Sequence, residues 1–170
     1  MSLKGLLKSS LCSMAVATML AGPISNQPAH AATATATMAV SATVLSACVV
    51  VALPMVFGNY TPTAASDAQA DLTVTCTPGT AFTISLDRGT GVGATVAQRA
   101  MTFLTNTLNY SLFTTTARNV IWGDGTAGTS TVTGTGTVLP QLITVYGRAP
   151  ASQNTAPGVY LDLVTVTLTY

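Results

Sequence analysis

The sequence predicts an all-β protein built as an antiparallel sandwich. Three observations carry that prediction. Apolar and hydroxyl-bearing residues alternate with period two in several separated stretches. The gaps between those stretches hold Gly, Pro and Asp-Gly turn chemistry. Beyond the first 31 residues no segment sustains a 3.6-residue apolar repeat.

The elements follow in chain order. Val49 to Leu53 is a continuous apolar run and reads as a buried strand. Leu72, Val74 and Cys76 alternate with Thr73 and Thr75. Pro78-Gly79 then makes a turn, and Phe82, Ile84 and Leu86 alternate with Thr83, Ser85 and Asp87. Gly89, Gly91 and Gly93 mark a loop. Leu108, Tyr110 and Leu112 alternate with Asn109 and Ser111. Asp124-Gly125 is a hairpin-turn pair, and Pro150 and Pro157-Gly158 bracket a loop. Val164, Val166, Leu168 and Tyr170 alternate with Thr165, Thr167 and Thr169. Each such stretch presents one apolar and one hydroxyl-rich face, which suits two packed sheets.

Composition narrows the function. The 170 residues suffice for one domain, and hydrophobic residues make up 48% of them. Charged residues are only 6%, against about a quarter in ordinary domains. A net charge of +1 lacks the basic clusters that phosphate neutralisation needs, so no nucleic-acid partner is expected. Lys4 and Lys8, the apolar stretch Leu11 to Ala21 and Ala29-His30-Ala31 read as a secretory signal peptide over 1–31. The remaining chain carries Arg88, Arg99, Arg118 and Arg148 against Asp67, Asp71, Asp87, Asp124 and Asp162.

That remainder has no His, Glu or Lys. A Ser-His-Asp or Cys-His set, a His-based metal site and a Schiff-base lysine are therefore not available, and no enzyme activity, cofactor or metal is expected. An Asp pair drawn from Asp87, Asp124 and Asp162 is the only acid/base material, and the structural role of such residues is the plainer reading. Asp87, Arg88, Arg99, Arg148 and Asp162 are read as ion pairs fixing loops, Tyr60, Tyr110, Tyr146 and Tyr160 as half-buried sandwich residues, and Trp122 as packing against a turn. Cys48 and Cys76 remain after the signal peptide. In an exported protein an isolated pair is most simply a disulfide, worth about 3.6 kcal/mol on the chain-entropy model, with two free thiols the alternative.

Thr33 to Leu45 is the most informative stretch. Ala34, Ala36, Met38, Val40, Ala42 and Val44 fall on one face, and Thr33, Thr35, Thr37, Ser41 and Thr43 on the other. At about 3.3 Å per residue it spans roughly 43 Å. It is either a long first strand of the same sandwich or an extension that pairs with a neighbouring molecule, and pattern alone leaves both open.

From Cys48 to Tyr170 the chain carries an ordered set of motifs: Phe57-Gly58-Asn59-Tyr60, Val74-Thr75-Cys76, Ile84-Ser85-Leu86-Asp87-Arg88-Gly89, Arg99-Ala100-Met101, Leu108-Asn109-Tyr110-Ser111-Leu112-Phe113, Trp122-Gly123-Asp124-Gly125, Val145-Tyr146-Gly147-Arg148-Ala149-Pro150 and Gly158-Val159-Tyr160-Leu161-Asp162. In this it resembles the spore coat U domain family, whose better-understood members are pilins of archaic chaperone–usher pili. Thr114-Thr115-Thr116 departs from the family pattern in a surface loop.

The resemblance implies an incomplete immunoglobulin-like β-sandwich, completed by a donor strand from a neighbouring subunit. The implied organisation is a signal peptide over 1–31, a donor-strand extension over 32–46 and a pilin domain over 47–170. Ala36, Met38, Val40, Ala42 and Val44 would fill successive pockets of the next subunit's groove. Burying Met38, Val40 and Val44 would contribute roughly 4–9 kcal/mol before ordering costs. Val164, Val166, Leu168 and Tyr170 would form the groove edge and chaperone contact, the Tyr170 carboxylate anchoring in the chaperone. The implied partners are identical or related subunits, a periplasmic chaperone and an outer-membrane usher, with export through the periplasm to a surface pilus. A polymerising structural subunit, the major one, for attachment and biofilm is the leading expectation; a tip adhesin and a non-polymerising coat or matrix protein are the alternatives.

Overall fold

The computed structural model describes residues 31–170. The expected signal peptide over 1–31 lies, apart from Ala31, outside the described residues. The chain divides into two units, 1–41 and 42–170. In the first, the described residues 31–41 are exposed and form no strand. The second contains eight strands and, among the described residues, there is no helix.

The strands are β1 (Cys48–Ala52), β2 (Ser66–Cys76), β3 (Ala81–Leu86), β4 (Arg99–Phe103), β5 (Asn106–Phe113), β6 (Val132–Thr135), β7 (Gln141–Ala149) and β8 (Val166–Thr169). A five-stranded sheet runs β1-β2-β7-β5-β4, and a three-stranded sheet runs β6-β3-β8. Every strand pair is antiparallel. The core lies between the sheets, where Leu72 and Val74 of β2, Phe82, Ile84 and Leu86 of β3, Tyr110 and Leu112 of β5 and Val145 of β7 are buried. These are the residues at every second position, as strand pleating requires.

Cys48 and Cys76 are register partners of β1 and β2 and are joined by a disulfide, with Cα atoms 4.1 Å apart. The bond staples the edge strand β1 to its sheet neighbour β2.

The structure corrects several sequence-based expectations. The Val49 to Leu53 run is not a strand buried on both faces. It lies at a sheet edge, with Val50 packed on the core and Val49 and Val51 62% and 56% exposed. Asp124-Gly125 does not close a hairpin. It lies in a loop whose ends meet through a parallel bridge between Trp122 and Ser130, because Asp124 Oδ1 accepts from the Thr126 amide at 2.9 Å and folds the turn locally. Trp122 does not pack on a turn but is fully buried in the core, its indole Nε1 donating to Ile84 O at 3.1 Å. Tyr110 is buried rather than half-buried. Of the two readings of Thr33 to Leu45, a long first strand of the same sandwich is not what forms: the segment has no strand in the single chain, and Met38, Val40 and Val44 are 86%, 87% and 81% exposed. A strand exists only through a partner's edge, since its backbone bonds lie between strands.

The expected ion pairs are also redistributed. Arg148 meets Asp67 through two bonds of 2.7 and 2.8 Å, and Arg118 approaches the same carboxylate at 3.3 Å. Among the described residues Arg99 has no carboxylate partner. It is fully buried and donates to three backbone carbonyls: Nε to Asp87 O at 2.8 Å, and Nη2 to Leu86 O at 3.2 Å and Trp122 O at 3.0 Å. Its burial pulls the guanidinium's pKa down, against the opposing influence of Tyr110 and the surrounding Asp residues.

Candidate functional site: an open groove between two sheet edges

The two sheets are unequal, and the difference is located. Among the described residues β8 is the outer strand of its sheet and pairs only with β3, and β1 is an outer strand of the other. Between them lies an apolar cavity of about 440 Å³. Its floor includes Leu72, Tyr110 and Val145, and Leu86 and Val166 close it from the other sheet. Its lips are the segments 52–57 and 160–164.

The first lip continues β1. Leu53 N still donates to Asp71 O at 3.1 Å, and the chain then leaves β2 at Pro54, which has no amide to donate. Met55 and Phe57 turn back over β7. They lie where a side chain at residue 147 would stand, so Gly147 is the residue that lets this lip approach. Ser66 Oγ holds the lip's end by donating to Phe57 O at 2.7 Å.

The second lip crosses from one sheet to the other. Leu161 exchanges two backbone bonds with Thr102 of β4, at 2.8 and 3.1 Å. Four residues later Thr165 O accepts from Asp87 N at 3.1 Å, and Val166 then pairs with Leu86 of β3. Strands that change sheets in this way form the corners of sandwiches.

Two carboxylates stand at this corner. Asp87 Oδ1 accepts from Gly89 N at 2.9 Å and Thr165 N at 2.8 Å. Burial pushes its pKa up, but these bonds and the Arg99 charge outweigh that and hold it below the usual carboxylate value. Asp162 accepts from Thr90 N, Thr90 Oγ1 and Leu163 N through one oxygen and from the Tyr110 hydroxyl through the other. Burial and then the Asp162 carboxylate push the Tyr110 hydroxyl pKa up.

Stability is expected to be flat with pH across the neutral range. From residue 31 onward the chain has no His, Glu or Lys. Asp67 is held low by its hydrogen bond from Arg148, and Asp87 is also lowered. A depressed carboxylate contributes stability that is fully present above its unfolded value and is lost as pH falls through its folded one. The urea midpoint is therefore expected to hold constant from about pH 5 to 9 and to fall only below about pH 4. A drop centred between pH 6 and 7 would contradict this.

Of the expected site residues, Val164, Val166 and Leu168 are half-buried and packed against the core, and Val164 and Val166 line the cavity. Tyr170 is exposed and does not line it. Ala36, Met38, Val40, Ala42 and Val44 are all exposed. Sequence reasoning missed the first lip, Met55 and Phe57, and missed Tyr110 and Asp162 as groove residues; the Phe57-Gly58-Asn59-Tyr60 and Tyr160-Leu161-Asp162 motifs were the available signal. Among the described residues no group of three or more His, Cys, Asp or Glu side chains is placed to hold a metal ion.

The sequence matches the Spore Coat Protein U domain over residues 34–167. The chain belongs to that family. It is 33% identical to Protein U of Myxococcus xanthus over 174 residues, covering 92% of this chain and 96% of that protein. In three dimensions it is similar to a chain in the crystal structure of the CsuC-CsuE chaperone–tip adhesion subunit pre-assembly complex, from the archaic chaperone-usher Csu pili of Acinetobacter baumannii. The TM-score is 0.55 with 27% identity over 75% of this chain, and the match spans 40% of that chain's length. This family member is thus an all-β, incomplete sandwich of the chaperone–usher pilin type.

Proposed function

We propose that this chain is a structural, polymerising subunit of an archaic chaperone–usher pilus, used for surface attachment and biofilm formation. The observation that carries the reading is the open groove beside β8, whose outer edge has no strand on it among the described residues. A strand laid there would add a fourth member to the β6-β3-β8 sheet and cover the cavity. The chain also supplies a strand in search of an edge. Residues 32–46 alternate small apolar and hydroxyl side chains, and their apolar members are exposed.

In this reading Ala36, Met38, Val40, Ala42 and Val44 enter the groove of the next subunit. The contact is head-to-tail and does not close on itself, so it propagates as a fibre. A periplasmic chaperone covers the groove before assembly, contacting the β8 edge and Tyr170, and an outer-membrane usher is the site of exchange. Residues 1–31 direct export and are removed. The Csu structure supports the chaperone step, because its chain was captured with a chaperone.

The test compares chain 32–170 with a version lacking 33–45. The full chain is expected to give SDS-resistant ladders or fibres. The shortened chain is expected to aggregate, or to be rescued as a monomer by an added peptide of residues 33–45. Two stable monomers would overturn the polymer and favour a self-contained coat protein.

One observation favours a second reading, a subunit at the fibre tip. Val92 and Leu104 are 79% and 85% exposed and line one shallow pocket at an end of the sandwich. Leu104 sits at φ +52°, a conformation that a Leu side chain disfavours. Loss of attachment but not of fibre length in Leu104→Ser would select this reading.

A further inference from the structure

Between Leu161, bonded to Thr102 of β4, and Val166, paired with Leu86 of β3, the second lip has one backbone bond, from Asp87 N to Thr165 O. Side chains set the rest of its position, Asp87 Oδ1 taking Thr165 N at 2.8 Å. Asp162 Oδ1 takes three donors, Thr90 N at 2.7 Å, Thr90 Oγ1 at 3.0 Å and Leu163 N at 2.8 Å. Asp162 Oδ2 takes the Tyr110 hydroxyl at 2.7 Å. Residue 89 is a glycine at φ +77°, and a Cβ there would collide with this carboxylate. The approach therefore depends on that residue having no side chain.

The same network reaches the opposite lip. Tyr110 is buried in the groove floor, and its ring meets Phe57 edge-on with centroids 5.6 Å apart. A continuous path, Phe57 to Tyr110 to Asp162 to Thr90, thus ties one lip, the floor and the other lip. A hydrogen bond to a carboxylate is stronger than one between neutral groups, and a buried hydroxyl or amide left without a partner is destabilising.

From this geometry we infer that Asp162 is a positioning residue of the groove: its carboxylate clasps the 160–165 lip to Tyr110 and Thr90, holding the groove open and in shape for an incoming strand. It does not touch that strand's side chains in this role. It acts by preorganisation, sparing the incoming strand the ordering of the lip. The inference rests on the proposed strand-accepting role of the groove.

The test uses chain 32–170, diluted below the concentration at which subunits join, with an excess of a fluorescein-labelled peptide of residues 33–45 as the probe. Two quantities are read: association rate by anisotropy, and hydrogen exchange at the Thr90 and Leu163 amides. Asp162→Ala is expected to slow association by at least about tenfold, the effect of losing one charge-assisted hydrogen bond. It is also expected to release protection at both amides. Asp162→Asn keeps an oxygen for the three donors at Oδ1 and lets its amide face the Tyr110 oxygen, so it is expected to restore most of both readouts. Asp67→Asn breaks the remote Arg148 pair and is expected to leave association unchanged. Should Asp162→Ala fail to fold, Tyr110→Phe removes the hydroxyl alone and is expected to slow association in the same direction.

Wild-type rates in a folded Asp162→Ala, or unchanged protection at Thr90 and Leu163, would overturn the clasp. If the wild-type chain itself takes no peptide, the strand-accepting role falls. Exchange then still decides whether Asp162 holds the lip.

Discussion

Trp122→Ala is expected to lower stability by about 3–5 kcal/mol, the range for removing a fully buried Trp. The side chain is 0% exposed and belongs to the core cluster that residues of both sheets form. The substitution opens a cavity and leaves Ile84 O, which accepts the indole N–H, without its partner. Residue 122 is also a backbone link, its N donating to Leu112 O at 2.8 Å. That bond survives substitution, so the loss reports the side chain. A urea titration with the disulfide intact reads it as a midpoint shift of more than about 1 M. Trp122→Phe fills most of the space and is expected to lose less. A loss under 1 kcal/mol for the alanine variant would mean that the loop 122–130 collapses into the cavity.

Arg99→Ala is the second large effect, expected at about 3–5 kcal/mol. Three carbonyls, of Leu86, Asp87 and Trp122, lose their donor at once. Relief from burying a cation without a carboxylate partner offsets part of that loss. Arg99→Met separates the two contributions, because it fills the volume without charge. It is expected to lose roughly half as much as the alanine variant. A methionine variant more stable than wild type would show that desolvation of the guanidinium outweighs its three bonds. The Nη1 atom, buried without a hydrogen-bond partner, makes that comparison informative.

The strands whose two faces differ were legible from sequence. Phe82-Ile84-Leu86 and Leu108-Tyr110-Leu112 alternate against polar neighbours, and both runs point inward as read. β1 was misread because Val49 to Leu53 is apolar at every position, so it carries no period that distinguishes an inner from an outer face. The disulfide was legible because only one pair of cysteines follows residue 31. Arg99 and Asp162 were not legible as what they are. Arg99 is held by backbone carbonyls, which every residue has and no sequence advertises. Asp162 draws three of its four hydrogen bonds from residues 52 and 72 positions away, a distance at which spacing carries no information. The groove's two lips follow from the same limit, since each is placed by contacts with distant strands.

The pairing of β8 with β3 sets an order of events. The outer strand at the groove comes from residues 166–169, while its only ladder partner comes from 81–86. A chain that emerges with its N-terminal end first therefore has β3 in hand long before the strand that pairs with it. Until residues 166–169 arrive, the β3 backbone lacks its ladder partner on that side, and until residue 161 arrives the second lip has not reached Thr102. Closing so long a loop is slow, and it cannot be hastened by strengthening the early strands. The time that this chain spends half-made is thus written into its topology, and any factor that guards it must act during that interval.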